Sequence, residues 1–310
     1  MGICFFFFLC SGSCTRDSDT VVVDFHKTVP IKKPAVQTSP SPSLKVAVGA
    51  MVSPKETFIH YRQLIEYLGQ KIARPVELVQ RKTYQEINQL LGRGEIDLAF
   101  ICSGPYAGGK EIYGFHVLAV PQIQGEHFYR SYLIVNKKQG VQRLEDLKGR
   151  TFAFTDPESN TGRLAPTFWL YQLGERPESF FSKIIYTYSH DNSILAVGRG
   201  LVDGAAVDGL VWEYFQKTNP KLTEPTRIIK KSEPYAIPPV VASRQFPQEK
   251  RKQIQKILLT IHLESEGRKI LNELMIDRFI SPPADWVKNA REIQKRTVLL
   301  KGRDHGSTKP

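Results

Sequence analysis

From Leu44 onward the chain keeps two rhythms: short unbroken apolar runs, then stretches in which apolar residues return every three or four positions. LKVAVGA, PVELVQ and IDLAFIC read as strands. KETFIHYRQLIEYLGQKI and TYQEINQLLGRG between them read as amphipathic helices, one ending near Gly69 and the other closed by glycine. IDLAFIC has the composition of a strand buried on both faces of a parallel sheet. A second unit follows YRSYLIVNKK: strand TFAF, a helix from Pro166, strand KIIYTYS, helix NSILAVGRG, a short strand and turn LVDGAAVDG, and strand TRIIKKS. PYAIPPVVAS is extended and Pro-rich, and EKRKQIQKILLTIHL and EGRKILNELMI are amphipathic helices on which the chain returns. The alternation predicts an α/β protein of two lobes, each a mostly parallel sheet flanked by helices, joined by two crossing strands. Residues 44–130 with 240–285 form lobe 1 and residues 131–239 form lobe 2. The cleft between them is the expected ligand site, and the loop SGPYAGG lies at the carboxyl end of a strand, where open α/β sheets bind ligands.

One stretch breaks the rhythm. DPESNTGRLAP, Asp156 to Pro166, gathers Pro, Ser, Asn, Thr and Gly just before the apolar run TFWLYQL. Ser159, Asn160 and Thr161 are capping types, and Gly162 removes bulk where the chain begins to turn, so the stretch predicts a helix N-terminus with unpaired N–H groups and two hydroxyls. Such an end suits an anion, because donors and the positive end of the helix dipole converge there. An ordinary N-cap is the alternative reading of the same residues.

Composition narrows the classes. The 310 residues are 41% hydrophobic and 24% charged, enough for a full core. The net charge of +12 is uneven: residues 288–310 hold seven basic and two acidic residues, and 286–310 read as a basic, solvated tail. That tail has no interleaved aromatics for base stacking, so nucleic acid is not an expected partner. MGICFFFFLCSGSC gives a short apolar run, small residues and Cys14, followed by TRDSD. This is too short to span a bilayer and fits a signal peptide over 1–14, with Cys14 placed like the lipidated cysteine of a lipoprotein; plain cleavage without lipid is the alternative. Residues 15–43, with VPIKKPAVQTSPSPS, read as a flexible tether. Three of the four cysteines lie in the leader, so neither a disulfide framework nor a cysteine metal site is expected, and Cys102 reads as a small buried hydrophobe. No P-loop is present, and no cofactor is called for.

Taken together, LAFICSGPYA, YRSYLIV, FAFTDPESNTGRLAP, YSHDNSILAVGRGLVDGAAVDG and PPVV resemble the phosphonate-binding family of periplasmic proteins that serve ABC transporters. The resemblance covers about residues 44–280. It implies the two-lobed type II periplasmic-binding-protein fold, with a Ser-Thr-Ser-Gly turn that holds the phosphonate oxygens. Ser159, Thr161 and Gly162 match that turn, and Asn160 replaces its middle hydroxyl with an amide that can still donate. His190 matches a cleft histidine, or else caps the helix beginning at DNSIL. Tyr129 and Tyr84 match tyrosines that reach the ligand from the other lobe, with Ser103 and Tyr106 on the facing loop; in such runs a tyrosine is otherwise a core residue. Asp208 either accepts a proton from a monoanionic ligand, orients His190, or is a turn residue before Gly209. The carboxylates that receive an ammonium group in aminoethylphosphonate binders fall at Leu210 and Pro238, which implies a ligand without an amino group, such as phosphite, phosphate or a short alkylphosphonate. The implied function is capture of a small phosphorus oxyanion by a monomer, lipid-anchored in the periplasm or cell envelope, and delivery to an ABC permease. A ligand sensor for a membrane signalling system is the alternative. No activated nucleophile or metal cluster is recognisable, so no enzyme is expected.

Overall fold

The computed structural model describes residues 42–49 and 51–305. Lobe 1 opens with β1 (Leu44–Val48), α1 (Pro54–Lys71), β2 (Val76–Val79), α2 (Tyr84–Arg93), β3 (Leu98–Phe100), α3 (Ser103–Tyr113) and β4 (His116–Gln122). The chain crosses on β5 (Phe128–Tyr129) into lobe 2. There it builds β6 (Ser131–Asn136), β7 (Thr151–Phe154), α4 (Ala165–Gln172), α5 (Pro177–Phe180), β8 (Lys183–Tyr186), α6 (His190–Gly198), β9 (Gly204–Asp208), α7 (Gly209–Thr218), α8 (Pro220–Thr223) and β10 (Thr226–Lys231). It returns on β11 (Tyr235–Ala236), antiparallel to β5. Lobe 1 is completed by β12 (Val240–Ala242), α9 (Gln248–Thr260), α10 (Ser265–Glu273) and β13 (Arg278–Ile280), and α11 (Ala284–His305) follows.

The first sheet has the order β13-β4-β12-β3-β1-β2 and the second β10-β6-β9-β7-β8. In each, the βαβ strands pair in parallel: β1 with β2 and β3, and β7 with β8 and β9. The returning strand β12 inserts antiparallel between β3 and β4, which places β3 in mid-sheet and explains its wholly buried Leu98, Ala99 and Phe100. Local signals set the helix ends. Thr83 and Glu86 form a reciprocal capping box at the start of α2, worth about 1 kcal/mol, and Gly94 ends that helix at φ 72°.

The C-terminal segment corrects the expectation of a solvated tail. Residues 284–305 form one helix, with Trp286, Ala290, Ile293 and Leu300 buried. Trp286 packs its ring, tilted by 43°, with its centroid 5.4 Å from that of Tyr106 on α3 and donates Nε1–H to the Ile237 carbonyl. Asn289 accepts from the Ala236 amide, and Arg296 pairs with Glu233, so the helix braces the returning crossover strand. Lys288, Arg291 and Lys295 are exposed on an amphipathic helix whose few buried apolar positions recur at helical spacing. Its charge had masked that period. Cys14 and the 15–43 spacer lie outside the described residues.

Candidate functional site

The stretch that broke the sequence rhythm leaves β7 and winds into a π-helical turn, Asn160–Leu164, that runs directly into α4. Ser159 is its N-cap, with Oγ accepting the Gly162 amide at 3.0 Å. A wide helical turn of this kind keeps amides and side chains from repeating their usual neighbours, which is one reason such turns recur at functional sites. Gly162 is there for want of space: a Cβ on it would stand 1.7 Å from Thr155 Oγ1 and 2.8 Å from Thr155 Cβ. The N-terminus of α3 presses on the same turn from lobe 1, where a Cβ on Gly104 would stand 2.3 Å from the Glu158 carbonyl oxygen and 2.8 Å from the Asn160 nitrogen.

A closed circuit of contacts links this turn to the rest of the site. Asp156, at its start, accepts the Tyr84 amide across the lobes at 3.1 Å. The Tyr84 ring lies beside Gly49, whose carbonyl accepts the Met51 amide. The Met51 carbonyl accepts the His190 amide at 2.9 Å, again across the lobes. His190 Nδ1 accepts the Asp208 amide at 2.9 Å, and Asp208 is the register partner of Ser131, whose hydroxyl donates back to the Thr161 carbonyl at 2.7 Å. On this circuit three buried polar atoms have no partner in the protein: Tyr84 Oη, Thr161 Oγ1 and His190 Nε2. Thr155 Oγ1, against Gly162, is a fourth.

The protonation of these atoms follows from their partners. A backbone amide can only donate, so Nδ1 of His190 carries a lone pair and the proton of the neutral ring sits on Nε2. Burial pushes the imidazole down to about 3, which keeps it neutral. Burial pushes the Tyr84 phenol well up, so it keeps its proton as well. The free valences are therefore O–H and N–H donors on uncharged groups, and none of the residues of the circuit is Lys or Arg. Each buried polar group left unpaired costs about 1–3 kcal/mol. Each of these groups is able to donate to an oxyanion.

The other expected residues are distributed around this centre. Tyr129 Oη lies 2.7 Å from Ser103 Oγ and 3.4 Å from Asn160 Nδ2, so these three form a separate buried network under the turn. Tyr106 stands elsewhere, against Trp286. Ser189, not His190, caps α6, with its hydroxyl accepting the Asn192 amide. Asp208 orients His190 through its backbone amide rather than its carboxyl. That carboxyl caps α7 by accepting the Leu210 amide at 2.8 Å, and burial pushes it up to about 7. Asp156 and Thr155 went unnoticed in the sequence. Asp156 was legible as an acidic residue two before Glu158 at a strand end, but its cross-lobe partner, the first amide of α2, is 72 residues away. Among the described residues no group of three or more His, Cys, Asp or Glu could hold a metal ion. Among them, too, no helix is long and apolar enough to cross a membrane.

Known proteins share this architecture. The family model described as the periplasmic substrate-binding protein of phosphonate ABC transporters matches residues 46–287. A probable ABC transporter phosphite binding protein of Prochlorococcus marinus is 28% identical over 180 residues, 54% of this chain and 61% of that protein. A phosphate-import protein of Mycolicibacterium smegmatis is 28% identical over 216 residues, 65% of this chain and 61% of that protein. The chain thus spans about three fifths of the length of these curated relatives. The crystal structure of PhnD1 from Prochlorococcus marinus in complex with methylphosphonate superposes with a TM-score of 0.75 at 22% identity, covering 84% of this chain and 98% of that one.

Proposed function

Because the chain belongs to the family of periplasmic substrate-binding proteins of phosphonate ABC transporters, we propose that its two lobes capture a small phosphorus oxyanion on the circuit described above and present it to a membrane permease. The observation that carries this reading is the set of unpaired buried donors, Tyr84 Oη from lobe 1 with Thr161 Oγ1 and His190 Nε2 from lobe 2. A ligand held by donors from both lobes favours the closed arrangement, and closure is what a permease can read. Ser159 serves the turn through Gly162 and keeps its own proton to donate. Asn160, Ser103 and Tyr129 support the turn from beneath. The reaction is binding without chemistry: Ser159 Oγ is engaged by an amide, not by a base that could activate it.

Truncating Thr161 to Ala removes one hydrogen bond to a charged ligand, worth roughly 1.5–3 kcal/mol, and affinity for a phosphorus oxyanion falls by about one to two decades. Ser159→Ala has the same effect on affinity and also loses a cap, at about 1 kcal/mol of stability. Calorimetric titration of the folded variants with methylphosphonate checks both. Unchanged affinity in Thr161→Ala places the oxyanion elsewhere.

The leader completes the proposal. Cys14 carries a lipid that holds the mature protein at the membrane, and residues 15–43 are the tether. Cys14→Ser releases the protein into the soluble fraction, which immunoblotting of fractionated cells reads directly; the same membrane fraction in both forms excludes the anchor.

A further inference from the structure

Beside the oxyanion circuit, and sharing Met51 and Asp208 with it, lies a cavity of about 140 Å³ between the lobes. Tyr61, Phe100 and Phe279 wall it from lobe 1, Leu210 and Val211 from lobe 2, and Pro238 from the returning strand region, with Gln124 and Lys217 also on its border. Leu210 and Pro238, the two positions at which an ammonium receptor would be expected, therefore both line this cavity and are apolar. Two carboxyls also border it, each holding one partner through one oxygen: Asp208 accepts the Leu210 amide, and Glu213 accepts the Tyr132 hydroxyl. A ligand whose phosphorus oxygens met Tyr84, Thr161 and His190 would have its fourth substituent free to turn past Met51 and Asp208 into this space.

On the reading of the site as an oxyanion trap, we propose that the ligand is a phosphonate bearing an apolar substituent of about phenyl size, seated in the chamber walled by Tyr61, Phe100, Phe279, Leu210, Val211 and Pro238. The volume sets the size. A cavity of roughly 150 Å³ lined by aliphatic and aromatic side chains stays dry and takes a benzene ring. Phosphite, phosphate and methylphosphonate leave such a space unfilled, and an apolar group in it gains on the order of fourfold in affinity for each buried methylene. An ammonium in the same place would be desolvated against the apolar walls and would share the border with the cationic Lys217.

The test is calorimetric titration of the wild-type protein and of Leu210→Trp, which fills the chamber, with phenylphosphonate, methylphosphonate, phosphite and 2-aminoethylphosphonate. The wild type binds phenylphosphonate at least about tenfold more tightly than methylphosphonate. Leu210→Trp, shown to be folded by its melting transition, brings the two affinities together. If methylphosphonate or phosphite binds the wild type as tightly as phenylphosphonate, or 2-aminoethylphosphonate binds it most tightly, the chamber assignment is overturned while the oxyanion site stands. A phenyl preference that survives Leu210→Trp overturns it too. If none of the four binds, the oxyanion reading itself fails and takes this inference with it.

Discussion

Gly162→Ala loses oxyanion binding by at least two decades while the protein remains folded. The added methyl would sit 1.7 Å from Thr155 Oγ1, 2.8 Å from Thr155 Cβ and 3.0 Å from Ser159 Oγ, far inside contact distance on two sides. Rotating the Thr155 hydroxyl away does not relieve the clash, because its Cβ is also too near. The turn must therefore open, and opening it breaks the Ser159–Gly162 cap and displaces Thr161 with its hydroxyl. Overpacking of this kind costs typically 1–3 kcal/mol of stability, which a domain of this size tolerates. Displacing several donors at once costs affinity more than removing any single one. Titration with methylphosphonate beside a thermal melt reads both quantities. Near wild-type affinity in the alanine variant would mean that the turn does not grip the ligand.

The second large effect concerns pH. His190 is held down to about 3 in the folded protein against an ordinary 6.5, so the unfolded chain binds the extra proton first and stability falls as pH drops from 6.5 towards 3. Asp208 is held up to about 7 against 3.8, so the folded protein binds the extra proton and stability falls as pH rises from 3.8 towards 7. Between about pH 4 and 6.5 the two slopes oppose each other, and their contributions nearly cancel in the wild type. Single variants uncover them. His190→Asn leaves Asp208 unopposed, and its stability drops with rising pH across that window by on the order of a few kcal/mol relative to the wild-type curve. Asp208→Asn, whose amide oxygen can still cap α7, leaves His190 unopposed, and its stability climbs with pH by a similar amount. Urea unfolding at several pH values between 4 and 7 measures the difference. Parallel curves for all three proteins would show that neither group is buried as the geometry places it.

Much of this molecule was legible before its fold was. The strands β1, β2, β3, β7 and β8 follow short apolar runs, and the intervening helices follow the three-to-four spacing, because each is a local pattern matched to one buried face or two. The Ser159–Gly162 turn announced itself by breaking that pattern. What could not be read was set by distance along the chain. The antiparallel insertion of β12 between β3 and β4 depends on a return from the second lobe. The Asp156 bond to Tyr84 and the His190 bond to Met51 join residues more than 70 positions apart, and only the lobes' approach creates them. Asp208 shows the limit most clearly: its carboxyl caps α7, close to the turn role that was one of its alternatives, while the atom that orients His190 is its amide, a group that every residue except proline carries and no sequence advertises. The terminal helix failed for a different reason, since seven basic residues among the last 23 obscured the apolar stripe of Trp286, Ala290, Ile293 and Leu300.

The proposed site holds a phosphorus oxyanion by neutral donors, the Nε2–H of His190 among them. Nitrogen NMR of the protein labelled at histidine tests it most directly, because the two ring nitrogens resolve according to which carries the proton. The expected spectrum shows a protonated Nε2 and an unprotonated Nδ1 from pH 5 to 8, and, on saturation with methylphosphonate, a shift of the Nε2 signal with Nδ1 left in place. A doubly protonated ring in that range, or a His190 spectrum that does not change when the ligand is bound, would contradict it.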